Sequence, residues 1–256
     1  MVHANQSMLA LRFDAVDDSM SPKDLIMDTC GSCQHRSRCL LGQLDPGQYH
    51  QVRQYLLYQK KLHPGDVLID QGSDFSRVYL VRYGTFKTVV TGGDGEQQIA
   101  GIQAAGDVLG IDGLEHGVHP CDVVALEHSG VCVFRFDHLC QMASEIGQVQ
   151  QLLFRSMSRV MEHDRNLMLL LGRMDGEQRM AYFLLTFQKM HTSNNASSAS
   201  LNLMMTRQEI GSYLGMTLES VSRHLSRFQK KGWIRVNRRQ VEILAPAALA
   251  TQVQGV

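Results

Sequence analysis

Three cysteines fall within ten residues in the pattern Cys30-x2-Cys33-x5-Cys39. Thiolates bind zinc or iron, and closely spaced cysteines in a flexible segment can wrap one centre. The spacing matches neither common ferredoxin pattern, so zinc and an iron–sulfur group both stay open. Three ligands need a fourth: Cys121 after His119-Pro120, Cys132 in an apolar run, Cys140, or a histidine. The chemistry of the side chains does not choose among them. Arg36 and Arg38 lie between the second and third clustered cysteines, where cations would favour the more negative form of a bound centre and raise its potential. The first 18 residues lack the apolar block of a secretory signal, and no apolar run is long enough to span a membrane. The expected location is therefore the cytosol, where six cysteines read as ligands or structural thiols rather than disulfides.

A second chemistry lies near the C-terminus. Residues 203–228 fit two short helices joined by a tight turn, the first opened by a capping box of Thr206 with Glu209. Gly211 allows a close helix crossing, Gly215 supplies the turn, and Thr217 caps the second helix. Leu218, Val221, Leu225 and Phe228 give that helix an inward face, leaving Glu219, Ser222, Arg223 and Arg227 outward. Those types suit a DNA major groove: arginine is bidentate to guanine, glutamate accepts from cytosine, and serine meets either edge. Residues 233–244 alternate around Asn237-Arg238-Arg239-Gln240, a two-stranded wing whose basic tip would touch phosphate. With Arg207 included, residues 207–242 hold eight bases against three acids.

The elements that must position these groups follow from composition and period. The chain has 256 residues and a net charge of zero, which by itself argues against nucleic acid as a partner. Residues 173–242, however, carry eleven bases and five acids, net +6, leaving −6 on the rest. An acidic body joined to a basic module is a nucleic-acid signature. Between residues 62 and 136, short apolar runs at 67–69, 78–81, 86–90, 99–102, 123–126 and 131–136 alternate with glycines, predicting an antiparallel barrel or sandwich. Residues 91–95 read as a hairpin tip. Over residues 137–174, Leu153, Val160, Leu167 and Met174 recur every seven residues, with Met157, Asp164 and Leu171 between them. This predicts one long helix with a seam for a partner helix. A polar loop at 192–200 follows a helix over 180–190.

The run 205–211 (Met-Thr-Arg-Gln-Glu-Ile-Gly) and the run 213–223 (Tyr-Leu-Gly-Met-Thr-Leu-Glu-Ser-Val-Ser-Arg) closely resemble the CRP/FNR transcription regulators. The likeness is greatest to the FNR branch, named for fumarate and nitrate reduction. It extends to residues 80–87 and 169–171 and covers most of the chain from Cys30 to about Leu244. It implies an α+β fold in four parts: a cysteine-rich cluster-binding segment (1–44), a jelly-roll-like β-barrel sensory domain (45–147), a dimerisation helix (148–174) and a winged helix-turn-helix (175–256). It implies a 4Fe–4S cluster held by Cys30, Cys33, Cys39 and Cys132, lost to oxygen, and leaves Cys121 and Cys140 as small, partly buried thiols. It places base reading on Glu219, Ser222 and Arg223. His224 stands where the family usually has an aliphatic residue and is expected to cover the edge of the core.

The resemblance also implies an Asp at the position of Asp164 and a switch between monomer and dimer. In a parallel pair Asp164 would meet its own copy, and two carboxylates about 6 Å apart repel by roughly 3 kcal/mol at an effective dielectric of about 20. A seam this weak lets a ligand contributing a few kcal/mol shift the population. Residues 106–110 and 119–122 lack the Gly-Glu loop and phosphate arginine of cyclic-nucleotide sensors, so no cyclic nucleotide is expected. The resulting expectation is an oxygen-responsive regulator, not an enzyme. It would bind palindromic double-stranded DNA as a homodimer and act on RNA polymerase, away from membranes. A regulator using zinc or thiol redox is the alternative. A cupin-like enzyme is disfavoured because His116, His119 and His128 have no companion strand pattern.

Overall fold

The structure, a computed structural model, describes residue 33 and residues 35–37, 39–191 and 200–253. Cys30, Arg38 and most of the 192–200 loop lie outside the described residues.

Eight strands form two four-stranded antiparallel sheets. The first has the order β1 (Leu56–Leu62), β8 (Ser129–Arg135), β3 (Arg77–Tyr83), β6 (Val108–Leu109). The second runs β2 (Val67–Ile69), β7 (Asp122–Ala125), β4 (Thr85–Thr91), β5 (Gln97–Ala104). Leu62, Leu68, Ile69, Val81, Phe86, Val123, Val131 and Val133 fill the space between the sheets. The period of two along β8 sends the alternate residues Cys132 and Phe134 the other way, into a second core. There they meet Leu40, Leu41 and Leu44 of the N-terminal segment, α1 (Tyr49–Arg53) and the helices that follow the roll. Because β3 and β8 are covered on both faces, they read as continuous apolar runs rather than as alternation.

The stretch expected as one helix is two. α2 (Phe136–Glu145) ends at Ile146, which leaves helical geometry at φ −119° and ψ 90° and buries its side chain. α3 (Gly147–Arg173) then runs for 27 residues. Its first half packs Val149 and Leu152 on the N-terminal core, and Leu170 near its end enters the C-terminal core. α4 (Gly176–His191), β9 (Ser200–Asn202), α5 (Arg207–Leu214), α6 (Leu218–Lys230), β10 (Ile234–Asn237), β11 (Gln240–Ile243) and α7 (Pro246–Val253) complete the chain. β10 and β11 pair in the register expected of a wing, and β9 adds a third strand beside β11.

Candidate cofactor pocket and nucleic-acid interface

Cys33, Cys39 and Cys132 line one small pocket with Leu41, Leu56, Leu80, Phe134, Gln59, Arg36 and Arg82. Tight turns form its outer wall. The Cys39 amide donates to the carbonyls of His35 (3.1 Å) and Arg36 (3.2 Å), and the Gly42 amide donates to the Cys39 carbonyl at 3.1 Å. A Cβ on Gly42 would lie 1.8 Å from the Arg36 carbonyl oxygen, so the turn closes only over glycine. Cys132 forms the inner wall, fixed by pairing with Gln59 of β1 and Leu80 of β3. Burial pushes the Cys39 thiol above its ordinary value, opposed mainly by the Gly42 and Leu41 backbone amides and least by the Arg82 charge.

Arg82 was not anticipated. A register shift between Val81 and Tyr83 places it at an irregularity of β3, and it is buried on the thiol side of the sheet. Its Nη1 donates to Gln59 Oε1 at 2.6 Å and its Nη2 approaches Cys33 Sγ at 3.6 Å. Desolvation, helped by the Arg82 charge, holds His35 below the usual histidine value, while the His35 ring packs 4.8 Å from that of Tyr83. Arg36 stays exposed and lies over the Tyr49 ring at 5.8 Å.

The other two candidate cysteines are elsewhere. Cys121 is buried and donates to an Asp112 carboxylate oxygen at 3.1 Å; burial and that carboxylate push its thiol far up. Cys140, expected to be partly buried, is exposed on α2. Among the described residues no three donors converge as a single metal ion would require. The donor chemistry nevertheless fits a thiolate-ligated group, with three soft sulfurs lining the pocket and cations beside them. The pocket holds about 20 Å³, room for roughly one water. Admitting anything larger requires the Cys33–Cys39 turn to move outward.

Within the segments 106–110 and 119–122, which lack the cyclic-nucleotide motifs, residues 107–110, Pro120 and Cys121 line a cavity of about 570 Å³ together with Ile111, Asp112 and Val123. Arg159, His163 and Asp164 of α3 and Lys189 of α4 close its far side. Its one arginine comes from the helix, and Nη2 of that Arg159 reaches the Gly106 carbonyl at 3.4 Å. Asp107, Asp112 and Asp164 also line the cavity.

The second surface is built on α5 and α6. Thr206 accepts from the Glu209 amide at 3.1 Å and Glu209 accepts from the Thr206 amide at 2.7 Å, completing the capping box. Gly215 turns the chain at φ 61°, and a Cβ on Gly211 would lie 2.5 Å from the Met216 carbonyl. Thr217 accepts from the Ser220 amide at 3.2 Å and starts α6. Val221, Leu225 and Phe228 point inward as expected, but Leu218 is 46% exposed. Glu219 and Arg223 are exposed and Ser222 half-buried beside them. The helix-end amide and the Thr217 hydroxyl hold the Glu219 carboxyl below its usual range. Arg238, the one non-glycine residue among those described with positive φ (54°), and Arg239 form the exposed wing tip. Arg207 sits half-buried below it, its Nη2 donating to the Arg238 carbonyl at 3.4 Å. Arg227, expected to face DNA, donates to Glu177 of α4 at 2.8 Å, and Lys231 binds the same carboxylate. His224 covers the seam between α4 and α6, close to Gly176 and half-buried, as anticipated.

Residues 178–251 match the Crp-like helix-turn-helix domain and residues 59–145 the cyclic nucleotide-binding domain. The transcriptional regulatory protein btr of Bordetella pertussis is 34% identical over 84% of this chain and 89% of its own length. The chain belongs to the CRP/FNR family of transcription regulators. The transcriptional activator protein Anr of Pseudomonas protegens is 33% identical over 88% of the regulator and 93% of its own length. The fumarate and nitrate reduction regulatory protein of Escherichia coli is 32% identical over 86% and 88%. The solved structure of FixK2 from Bradyrhizobium japonicum superposes with a TM-score of 0.67 at 28% identity, covering 76% of the regulator and 96% of that chain. The family and these relatives are DNA-binding regulators rather than enzymes. The architecture is accordingly α+β, a jelly-roll-like β-domain joined by a long helix to a C-terminal helix-turn-helix. Among the described residues no helix is long and apolar enough to cross a membrane.

The long helix carries a bare apolar stripe. Phe154 (61% exposed), Met161 (60%) and Met168 (74%) stand seven residues apart, and Met157, Asp164 and Leu171, each three residues further on, are also exposed. Leu153 and Leu167, assigned to the seam from their spacing, instead pack against the protomer's own cores, and Met174 is buried. Val160 is 42% exposed and lines the large cavity. Of the residues assigned to the seam, Met157, Val160, Asp164 and Leu171 are therefore exposed, while Leu153 and Leu167 are covered by the protomer itself.

Proposed function

We propose that this regulator senses oxygen through a 4Fe–4S cluster held by Cys30, Cys33, Cys39 and Cys132. With the cluster in place it pairs as a homodimer along α3 and binds palindromic double-stranded DNA in the cytoplasm, controlling genes of anaerobic metabolism by acting on RNA polymerase. One observation carries the reading: Cys132, about a hundred residues away in sequence, lines the same pocket as Cys33 and Cys39, whereas Cys121 and Cys140 do not. The named relatives that regulate fumarate and nitrate reduction or anaerobic genes support it. When bound, the cluster would supply an oxygen-labile link among four thiolates.

The pocket is wired to the seam by packing. Cys39, Leu40, Leu41 and Cys132 share one core with Leu139, Met142, Val149 and Leu152, so the cysteine segment sits directly on α2 and the start of α3. Gln148 Nε2 of α3 also donates to the Gln43 carbonyl at 3.1 Å. Loss of the group that gathers the thiols loosens this core and the helix beside it. Phe154, Met157, Met161, Met168 and Leu171 would form the apolar part of the seam and Asp164 its destabilising element. Two recognition helices then stand one DNA turn, ~34 Å, apart, with Glu219, Ser222 and Arg223 toward base edges. Arg207, Arg238 and Arg239 meet phosphate.

Iron and acid-labile sulfide analysis of protein purified without oxygen tests the reading. Wild type and Cys121→Ser should hold about equal iron and sulfide, and Cys132→Ser should lose both. Zinc in place of iron, or full iron in Cys132→Ser, would overturn it.

A further inference from the structure

We propose that Arg82 is a positioning residue for the thiol pocket, a buried cation that holds Cys33 inward and sets the charge a bound cofactor meets. The proposal rests on the iron–sulfur reading above. Three observations carry it. The guanidinium is buried, whereas Arg36 on the same pocket is exposed and screened by solvent. It is clamped between the Gln59 amide oxygen at 2.6 Å and Cys33 Sγ at 3.6 Å, tying Cys33 to the sheet that carries Cys132. Its aim is built into the backbone: alternation along β3 puts Arg82 on the face of Val78 and Leu80, toward the core that holds Cys132, while Val81 points between the sheets.

Among the described residues lining the pocket, the ionisable side chains are three thiols and two arginines, a wall complementary to a group of net negative charge. Reduction by one electron makes a thiolate-bound cluster more negative, so a fixed cation favours the reduced form and raises the potential. An opposite charge at this range moves an ionisation equilibrium by about one to three powers of ten. The low end is expected for a pocket whose outer wall meets water.

The test uses full-length wild type, Arg82→Gln and Arg82→Lys, all purified without oxygen. Iron and sulfide content, the midpoint potential by mediator titration, and the rate of iron transfer to a chelator are read for each. Arg82→Gln should shift the one-electron equilibrium roughly tenfold toward the oxidised form, about 59 mV more negative, and release iron several-fold faster. Arg82→Lys should keep most of the potential, because the charge remains, yet release iron faster, because an ammonium cannot bridge Gln59 and Cys33 as the planar fork does. A merely structural arginine would not separate the two readouts. Arg82→Gln with wild-type potential and iron release would overturn this inference and leave the iron–sulfur reading standing. Wild type without iron and sulfide would overturn both. If Arg82→Gln fails to fold, the Arg82→Lys potential decides: retained, it supports the charge role, and shifted tenfold, it overturns it.

Discussion

Asp164→Ala should convert the air-exposed regulator from monomer to dimer. Asp164 is exposed on α3, seven residues after Met157 and seven before Leu171, on the one face of that helix with large bare apolar side chains at both ends. In a parallel pair it lies against its own copy. At a separation of about 6 Å and an effective dielectric of about 20, the two carboxylates repel by roughly 3 kcal/mol. Every ~1.4 kcal/mol is tenfold in an equilibrium constant, so removing both charges strengthens dimerisation about a hundredfold. Asp164→Asn separates charge from size: it should recover most of that gain, less the cost of burying an amide. Sedimentation velocity over a micromolar concentration series, in air and without cofactor, gives the dimer constant of each protein. The same series at raised salt should narrow the difference, since screening weakens the repulsion. An Asp164→Ala constant within twofold of wild type would refute the seam. It would mean that the exposed methionines face something other than a second α3.

Three other outcomes follow from the structure. Arg223→Ala should cost ~1–3 kcal/mol of discrimination at one guanine position in a binding titration across operator variants, whereas Arg238→Ala and Arg239→Ala should weaken all sequences alike and flatten the salt dependence. Gly42→Ala should destabilise the cysteine turn by ~1–3 kcal/mol, because its new methyl group collides with the Arg36 carbonyl. Iron content without oxygen should fall while the melting of the DNA-binding domain stays put. The third concerns pH. Desolvation holds His119 and His224 below the ordinary histidine value. The unfolded chain then binds more protons than the folded one at mildly acidic pH, and stability is lost as pH falls below about 6.5. Urea melts between pH 7.5 and 5.5 should show that decline, and His119→Gln should reduce it.

What could be read without coordinates depended on whether a signal was local. The reading head was legible because a capping box, a turn glycine and a second cap each occupy a few adjacent residues whose chemistry admits little else. Strands β2, β3, β4, β5, β7 and β8 showed as apolar runs between glycines, but β1 did not: it is an edge strand whose Gln59, Lys60 and Lys61 hide the alternation. The break at Ile146 was invisible because an apolar residue leaving a helix into a core looks like one staying in it. The seam shifted for a related reason. α3 is apolar on two faces, and a repeat of seven does not say which face the protomer keeps for itself. Leu153 and Leu167 are used at home. Arg227 looked free because its partner, Glu177, lies fifty residues away. Arg82 was missed because nothing local shows that the Val78, Leu80 and Arg82 face of β3 is covered by the distant cysteine segment.

Sedimentation of one anaerobic preparation, followed through its visible absorption before and after air is admitted, tests most directly whether the thiol pocket governs assembly. The account predicts a coloured dimer that bleaches and falls to monomer together, at matching rates. A dimer that persists after the colour has gone would contradict it.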